Sequence, residues 1–173
     1  MRRLVYSVAT SLDGFIAGPN GEYDWIVHDP AYDFVALYSR FDTLLMGRRT
    51  YEVAKTRPAA LSSMGMKVYV VSSSLEPAEH PGITVLAANI HEAVSALKDQ
   101  PGKDIWLMGG GVLFRCLLDA GLVDAIDIAV IPVLLGSGVP LLPQGARCQL
   151  RLSECKALPT GTLSLSYAVT TDR

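Results

Sequence analysis

Hydrophobic and polar positions follow two different periods along this 173-residue chain. Short apolar runs rich in β-branched residues are typical of buried strands, and apolar residues at i, i+3 and i+4 indicate helices. Strands are predicted at 4–10, 43–47, 67–74, 83–87, 104–109 and 125–136, with two more between Cys148 and Thr170. Helices are predicted at 30–41, 48–55, 89–99 and 112–120.

Boundary residues refine two of these helices. Asn89 and Glu92 have the spacing of a capping box, in which the two side chains satisfy free N–H groups at the start of a helix. Gly121 follows the fourth helix and is expected to end it as a C-terminal cap. In the last strand, Leu163, Leu165, Tyr167 and Val169 alternate and so share one face.

The order of the elements predicts the fold class. Strands and helices alternate as far as Asp124, which implies helices covering a largely parallel sheet. The final two strands, joined at Pro159, Thr160 and Gly161, add an antiparallel hairpin at one edge. We expect an α/β fold with a central mixed, mostly parallel sheet, in one domain spanning residues 1–173 because no linker or repeat interrupts the pattern.

Composition excludes several classes of protein. With 50% hydrophobic and 18% charged residues the chain can bury a substantial core, and a formal net charge of −2 argues against a nucleic-acid-coating surface. No run of about 20 apolar residues would span a membrane. Three widely spaced cysteines favour reduced thiols in a cytoplasmic protein, and His28, His80 and His91 do not cluster, so no metal site is expected.

Three consecutive glycines carry the first indication of chemistry. Gly109, Gly110 and Gly111 lie between an apolar strand and a helix. A strand that ends in glycines and opens into a helix presents free backbone N–H groups and a positive helix end to a phosphate. A tight turn with nothing bound explains the same glycines equally well, and the dinucleotide fingerprint G-x-G-x-x-G is missing.

Two further strand ends favour the phosphate interpretation. Gly47 ends a strand and is followed by Arg48, Arg49 and Thr50, whose guanidinium and hydroxyl groups suit a pyrophosphate. The strand 67–74 ends in serines. An NAD site would carry a carboxylate at this position, whereas the serine hydroxyl groups tolerate a 2′-phosphate there. The carboxyl ends of three strands therefore point to one dinucleotide.

Four segments, in this order and spacing, resemble the dihydrofolate reductase superfamily, and more closely its RibD C-terminal domain branch. They are SVATSLDGFIAGPNG, LLMGRRTYE, VYVVSSS and IWLMGGGVLFRCLLDAGLVDAIDIAVIPVLLGSG. The resemblance implies a dihydrofolate reductase-like three-layer fold that binds NADPH. The implied cofactor-binding residues are Ala9, Ile16, Gly47, Arg48, Arg49, Thr50, Ser72, Ser73, Gly109, Gly110, Gly111 and Val112.

The resemblance also implies candidate catalytic residues. Asp33 corresponds to a carboxylate that dihydrofolate reductases carry on their first helix, with Ala31 as the alternative register. Trp25 resembles the tryptophan of a mobile active-site loop, and a loop-pinning aromatic is the alternative. Asp13, before Gly14, is a turn aspartate or a substrate contact.

The expected function is an NADPH-dependent oxidoreductase acting on a small heterocyclic or ribosylamino-pyrimidine substrate. It resembles the 5-amino-6-(5-phosphoribosylamino)uracil reductase of riboflavin biosynthesis. A dihydrofolate or pterin reductase, and a non-catalytic NADPH-binding module of the same fold, stay open as alternatives. The apolar segment 125–142 suggests a subunit contact, so we expect a homodimer whose only other partner is its substrate, with no nucleic acid and no membrane.

Overall fold

The structure of the chain is a computed structural model that describes residues 1–27, 29–56 and 65–170. Eight strands form one sheet and two short ones form a second. In chain order they are β1 (Leu4–Ser11), β2 (Phe15–Ala17), β3 (Phe41–Gly47), β4 (Lys67–Val71), β5 (Ile83–Leu86), β6 (Asp104–Gly109), β7 (Ala125–Ile131), β8 (Val139–Pro140), β9 (Gln149–Ala157) and β10 (Leu163–Thr170).

The large sheet has the strand order β5-β4-β3-β6-β1-β7-β10-β9. Its first six strands are mutually parallel, whereas β10 pairs antiparallel with β7 and β9 antiparallel with β10. The small sheet pairs β2 with β8. A mixed, mostly parallel sheet with an antiparallel C-terminal hairpin is thus confirmed.

Helices cover both faces of the sheet, which gives the expected three layers. They are α1 (Phe34–Ser39), α2 (Arg48–Ala54), α3 (Ile90–Asp99) and α4 (Gly111–Asp119). One core cluster packs α3 and α4 against side chains such as Tyr6, whose ring stacks on Phe114 at 3.8 Å between centroids. The other cluster packs α1 and α2 against residues around Trp106.

No helix in the described part of the chain combines the length and the apolar character that crossing a membrane requires.

The first helix is shorter than the predicted span 30–41. It begins only after Asp33, because Asp29 folds the preceding residues into a turn: its Oδ1 accepts a hydrogen bond from the N–H of Ala31 at 2.8 Å, and its carbonyl accepts one from Tyr32 at 3.0 Å. At the other end, Phe41 already pairs with Asp104 as part of β3. The spacing of apolar residues does not show that a turn at Asp29 and the strand β3 replace the two ends of the predicted helix.

The two cap predictions have opposite outcomes. The capping box is wrong, because Asn89 has a left-handed φ of 50° and its side chain makes no capping hydrogen bond. Gly121 ends α4 as predicted, with a φ of 69°. Its N–H donates to Leu118 O at 3.0 Å and the N–H of Leu122 donates to Leu117 O at 3.0 Å, a Schellman motif.

The apolar character of the segment 125–142 has an explanation inside the monomer. Its first seven residues form β7, which lies between β1 and β10 and buries Ile126 and Ile131. The strand also ends earlier than the predicted position 136, at Ile131, because the next residue, Pro132, cannot donate to a ladder. A subunit contact is therefore not needed to explain β7, although Leu134 is 69% exposed.

Asp13 fastens the turn after β1 to the loop after β7. Its carboxylate accepts hydrogen bonds from Ser11 Oγ at 2.6 Å, from the N–H of Leu135 at 3.1 Å and from the N–H of Gly136 at 2.7 Å. The Ser11 bond is the largest cause of a pKa below the usual aspartate value, and the backbone bonds act in the same direction. These bonds match the interpretation of Asp13 as a turn aspartate.

This lowered pKa predicts a pH-dependent contribution of Asp13 to stability. A carboxyl with a lower pKa in the folded state contributes stability above its unfolded value of about 3.9 and loses it as pH falls through the folded value. Asp13→Asn should therefore lower the urea midpoint at neutral pH, with a difference that shrinks below about pH 4. Asp24→Asn, in the same excursion, is the control. A difference for Asp13→Asn that does not vary with pH would contradict the assignment.

Candidate functional site

The carboxyl ends of β3 and β6 meet at a group of small residues. Met46 pairs with Gly109 in the ladder, so Gly47 and Gly110 follow side by side. A methyl group on Gly47 would lie 3.9 Å from Gly110 N, and one on Gly109 would lie 3.3 Å from Thr50 Oγ1. The structure thus brings together Gly47, Thr50, Gly109 and Gly110, which we call the glycine cradle.

The three consecutive glycines differ in backbone conformation and in the packing around them. Gly109 has a φ of 147°, which L side chains rarely adopt, and its peptide bond to Gly110 is cis. Gly110 has an ordinary extended conformation, with φ −95°, and a methyl group there would touch only Thr50 Oγ1, at 3.6 Å. Gly111 is buried, and a methyl group there would lie 3.0 Å from the carbonyl oxygen of Pro140. At Gly110, then, neither the value of φ nor a contact with residues beyond its two chain neighbours requires glycine.

Polar groups from two neighbouring elements border the glycine cradle. The Arg48 guanidinium bonds to Glu52 Oε1 at 2.8 Å and to Ser74 Oγ at 2.7 Å, which links α2 to the end of β4. Ser72 is buried, and its Oγ accepts the N–H groups of Ser74 and Leu75 at 3.2 and 3.1 Å. Ser72 thus shapes the turn, whereas Ser73 beside it is exposed.

Arg49, unlike Arg48, has no hydrogen-bond or ion-pair partner within the part of the chain that the structure describes. Its side chain is exposed. An exposed guanidinium beside a glycine-rich helix start is a suitable partner for a phosphate. Val112, the second residue of α4, is 77% exposed at the same edge.

A cavity of about 150 Å³ opens on the other side of β6, beside β1 and β7. Ala9, which pairs with Ala129 in the ladder, lines it, and the aromatic rings of Tyr32, Phe34 and Trp106 contribute much of its wall. The indole of Trp106 is fixed by donating to Ser7 O at 2.8 Å. No Lys or Arg is among the described residues that line this cavity, so a planar, uncharged group fits it.

The carboxylate in the lining of this cavity is Asp29. Asp29 is 3% exposed, and besides Ala31 N its oxygens accept both the N–H of Thr160, at 3.1 Å, and the Thr160 hydroxyl. It thereby fastens the segment before α1 to the turn between β9 and β10. The sequence analysis missed Asp29, because an aspartate before a proline reads as an ordinary turn signal and its partner is 131 positions away.

The residues proposed as catalytic from the sequence do not form one cluster. Asp33 is exposed outside the cavity lining, and its carboxylate caps α1 by accepting the N–H of Ala36 at 2.8 Å. Trp25 is half-buried and donates from Nε1 to Glu22 O at 3.1 Å, while its neighbours Ile26 and Val27 line the cavity. Direct roles in catalysis for Asp33, Asp13 and Trp25 stay predictions.

Two remaining predictions concern Ile16 and the histidines. Ile16 is half-buried in β2, which pairs with β8 just before the segment that packs on Gly111. Its contact with a nicotinamide stays a prediction. His80 bonds to the Tyr51 hydroxyl at 3.2 Å and His91 to Cys116, whereas His28 lies outside the described residues.

The arrangement satisfies the chemical requirements of a dinucleotide site. The glycine cradle has a position, Gly110, where a side chain would occupy space that the protein itself leaves open, and the N-terminus of α4 faces the same edge. The cavity lies across β6 from it, at the carboxyl end of β1. Ligands of open α/β sheets bind at this edge.

Comparison with known proteins places the chain among relatives of matching length. It is 33% identical to the uncharacterized protein YyaP of Bacillus subtilis, over 96% of this chain and 94% of that protein. Its structure is similar to that of a predicted riboflavin biosynthesis protein from Shewanella sp. PV-4, with a TM-score of 0.80, 26% identity and coverage of 99% and 100% of the two chains.

More distant structures share the fold. A diaminohydroxyphosphoribosylaminopyrimidine deaminase/5-amino-6-(5-phosphoribosylamino)uracil reductase from Thermotoga maritima has a TM-score of 0.75 at 13% identity, over 98% of this chain and 57% of that longer one. Dihydrofolate reductase from Enterococcus faecalis, complexed with NADP(H), has a TM-score of 0.68 at 20% identity, over 98% and 97%.

The model of the RibD C-terminal domain family matches residues 2–164. That match covers nearly the whole chain. The chain therefore belongs to the RibD C-terminal domain family, with the α/β fold of dihydrofolate reductase-like proteins.

Proposed function

We propose that this protein is an NADPH-dependent reductase that transfers a hydride to a small planar heterocycle bound in the cavity beside Ala9. The observation that carries the proposal is the glycine cradle, where Gly110 leaves space beside Thr50 and an unpaired Arg49. The named activities of the Thermotoga reductase and of the NADP(H)-bound dihydrofolate reductase support the same reaction class.

The residues at the strand ends divide the binding of NADPH between them. The backbone N–H groups at the start of α4, the Thr50 hydroxyl and the Arg49 guanidinium would bind the pyrophosphate. The exposed Ser73, at the end of β4, would face the adenosine half, and the backbone of Ala9 and Ile16 would meet the nicotinamide carboxamide. When bound, NADPH supplies the hydride.

The cavity then orients the substrate and excludes water. Trp106, Tyr32 and Phe34 form flat apolar walls against which a heterocyclic ring can stack. Asp29 fixes one side of this cavity through its bonds to Thr160. The proton that completes the reduction would come from ordered water or from Asp33, which caps α1 next to Phe34 of the lining.

The substrate class separates this proposal from its alternatives. A 5-amino-6-(5-phosphoribosylamino)uracil substrate would place its ring in the cavity and its phosphate outside, because the described lining lacks cations. Dihydrofolate or another pterin would present a similar ring. A non-catalytic module would bind NADPH and oxidise it with none of these compounds. Following NADPH absorbance with each compound distinguishes the three, and the absence of oxidation with every one would contradict the reductase.

Substitution of the glycines tests the cradle. Gly110→Ala places a methyl group in the open space, so NADPH should bind about tenfold or more weakly while the urea midpoint stays near that of the parent. Gly111→Ala is the matched variant, because its methyl group meets Pro140 O at 3.0 Å and should lower stability instead. Nicotinamide fluorescence and urea unfolding measure the two quantities. Unchanged NADPH affinity in Gly110→Ala would mean that the glycines only form a turn.

Removal of the unpaired guanidinium tests the phosphate contact. Arg49→Ala should weaken NADPH binding by about 1.5–3 kcal/mol, because it deletes a charge-assisted hydrogen bond, and should leave stability unchanged. Arg3→Ala removes the same charge at the opposite edge of the sheet, at the start of β1, and is the control. Equal affinities of the two variants for NADPH would contradict the assignment.

We also propose that the protein is a homodimer joined through β9, rather than through the segment 125–142. This strand is at the edge of the large sheet and exposed along its whole length, including Leu150 and Leu152. A second copy of β9 added antiparallel would pair the backbone groups that the edge leaves free, and Leu150 and Leu152 would add two apolar side chains from each copy.

A lysine on the edge strand tests this interface. Light scattering at micromolar concentration should report a dimer for the parent and a monomer for Leu152→Lys, because a charged side chain on an edge strand opposes pairing with a second strand. Val35→Lys, which changes an exposed apolar residue of α1, is the control and should stay dimeric. A parent that is monomeric, or a Leu152→Lys variant that stays dimeric, would overturn the proposal.

A further inference from the structure

A thiol and an imidazole face each other on the outer surface of the molecule, away from the glycine cradle. His91 begins the first turn of α3 and Cys116 lies in the middle of α4, and the two helices pack side by side over one core cluster. His91 Nε2 lies 3.2 Å from Cys116 Sγ. Both residues are exposed, so solutes reach the pair directly.

The pair lies in a shallow, open depression of the surface, which Glu92, Ser95 and Leu122 line with it. The Asp119 carboxylate at its border is bound by Arg115, with Nε to Oδ2 at 2.8 Å, so that charge is already compensated. A nucleophile in such an open site is accessible to a small neutral molecule.

From this geometry we propose that Cys116, activated by His91, is the preferred site of covalent modification of this chain by small neutral electrophiles and peroxides. The thiolate is the reactive form of cysteine, and a histidine in hydrogen-bond contact favours it by accepting the proton. This requires Nε2 to be the acceptor nitrogen of His91.

The chemical step balances for both reagent classes. With an alkyl iodide, the Sγ proton passes to His91 Nε2, an S–C bond forms, and iodide leaves with the electron pair of the broken C–I bond. With hydrogen peroxide, an S–O bond forms as the O–O bond breaks, and the departing hydroxide takes the proton from His91 as water. The sulfur is oxidised to a sulfenic acid and the peroxide is reduced.

The chain contains its own comparison thiols. Cys148 and Cys155 are also exposed and unpaired, and no histidine side chain among the described residues bonds to either of them. Exposure is thus shared by all three cysteines, and the histidine contact distinguishes Cys116. A difference in reactivity within one molecule can then be assigned to His91.

Competitive alkylation tests the proposal. The full chain is treated at neutral pH with substoichiometric iodoacetamide, and the fraction alkylated at each cysteine is measured by mass spectrometry of its peptides. Cys116 should react at least several-fold faster than Cys148 and Cys155 in the folded chain, and at the same rate as both in urea. In His91→Gln its rate should fall to theirs, whereas His80→Gln, which removes the histidine bonded to Tyr51, should leave it unchanged.

A second measurement keeps the test independent of alkylation and of folding defects. Hydrogen peroxide followed by dimedone should label Cys116 in the parent and not in His91→Gln, with circular dichroism confirming that the variant is folded. Equal alkylation of the three cysteines in the folded parent would overturn the proposal. So would an advantage of Cys116 that survives in folded His91→Gln.

Discussion

The close approach of β3 and β6 at their carboxyl ends is the constraint on which the candidate site depends. Met46 pairs with Gly109, and a glycine follows each of them, so the starts of α2 and α4 lie next to each other with Thr50 close to both. A side chain on Gly109 would press on the Thr50 hydroxyl, 3.3 Å from its first carbon. Because β6 lies between β3 and β1 in the sheet, the same register also sets the distance from the glycine cradle to the cavity beside Ala9.

Most of the fold could be predicted because it rests on periodicity and on turn chemistry that are local in sequence. The apolar runs mark the long strands, and Gly121 ends α4 because a left-handed φ of 69° favours glycine. The two wrong helix predictions have local causes. Asp29 replaces the first turn of the predicted helix by a turn of its own, and Asn89 adopts a left-handed conformation in which its side chain makes no capping bond. Neither conformation leaves a trace in the spacing of apolar residues.

The two halves of the candidate site differ in the same way, because only one of them depends on residues that are close in sequence. The half that we propose to bind phosphate consists of strand ends with recognisable residues, Gly47 to Thr50 and Gly109 to Gly111, and parallel strands necessarily bring their carboxyl ends to one edge. The cavity half depends on tertiary contacts between distant segments. Asp29 accepts a hydrogen bond from Thr160, and Trp106 donates one to the carbonyl oxygen of Ser7. The segments around residues 29, 106 and 160 therefore meet only after the sheet and the C-terminal hairpin have formed. Asp33 was expected to be catalytic because the family resemblance implies a carboxylate on the first helix. Its position just before that helix explains its observed contact, the cap of α1.

The three consecutive glycines show why a motif cannot be assigned to one cause. Gly109 is required by its backbone conformation and Gly111 by the approach of Pro140, so two of the three would be needed in a protein that bound nothing. Gly110 has neither requirement, since its φ of −95° suits any residue and a methyl group would meet only the Thr50 hydroxyl. A glycine that neither φ nor a contact with Thr50 requires lies here at a helix start, beside an arginine with no partner among the described residues. Gly110, rather than the number of glycines, is therefore the residue that favours the proposed phosphate.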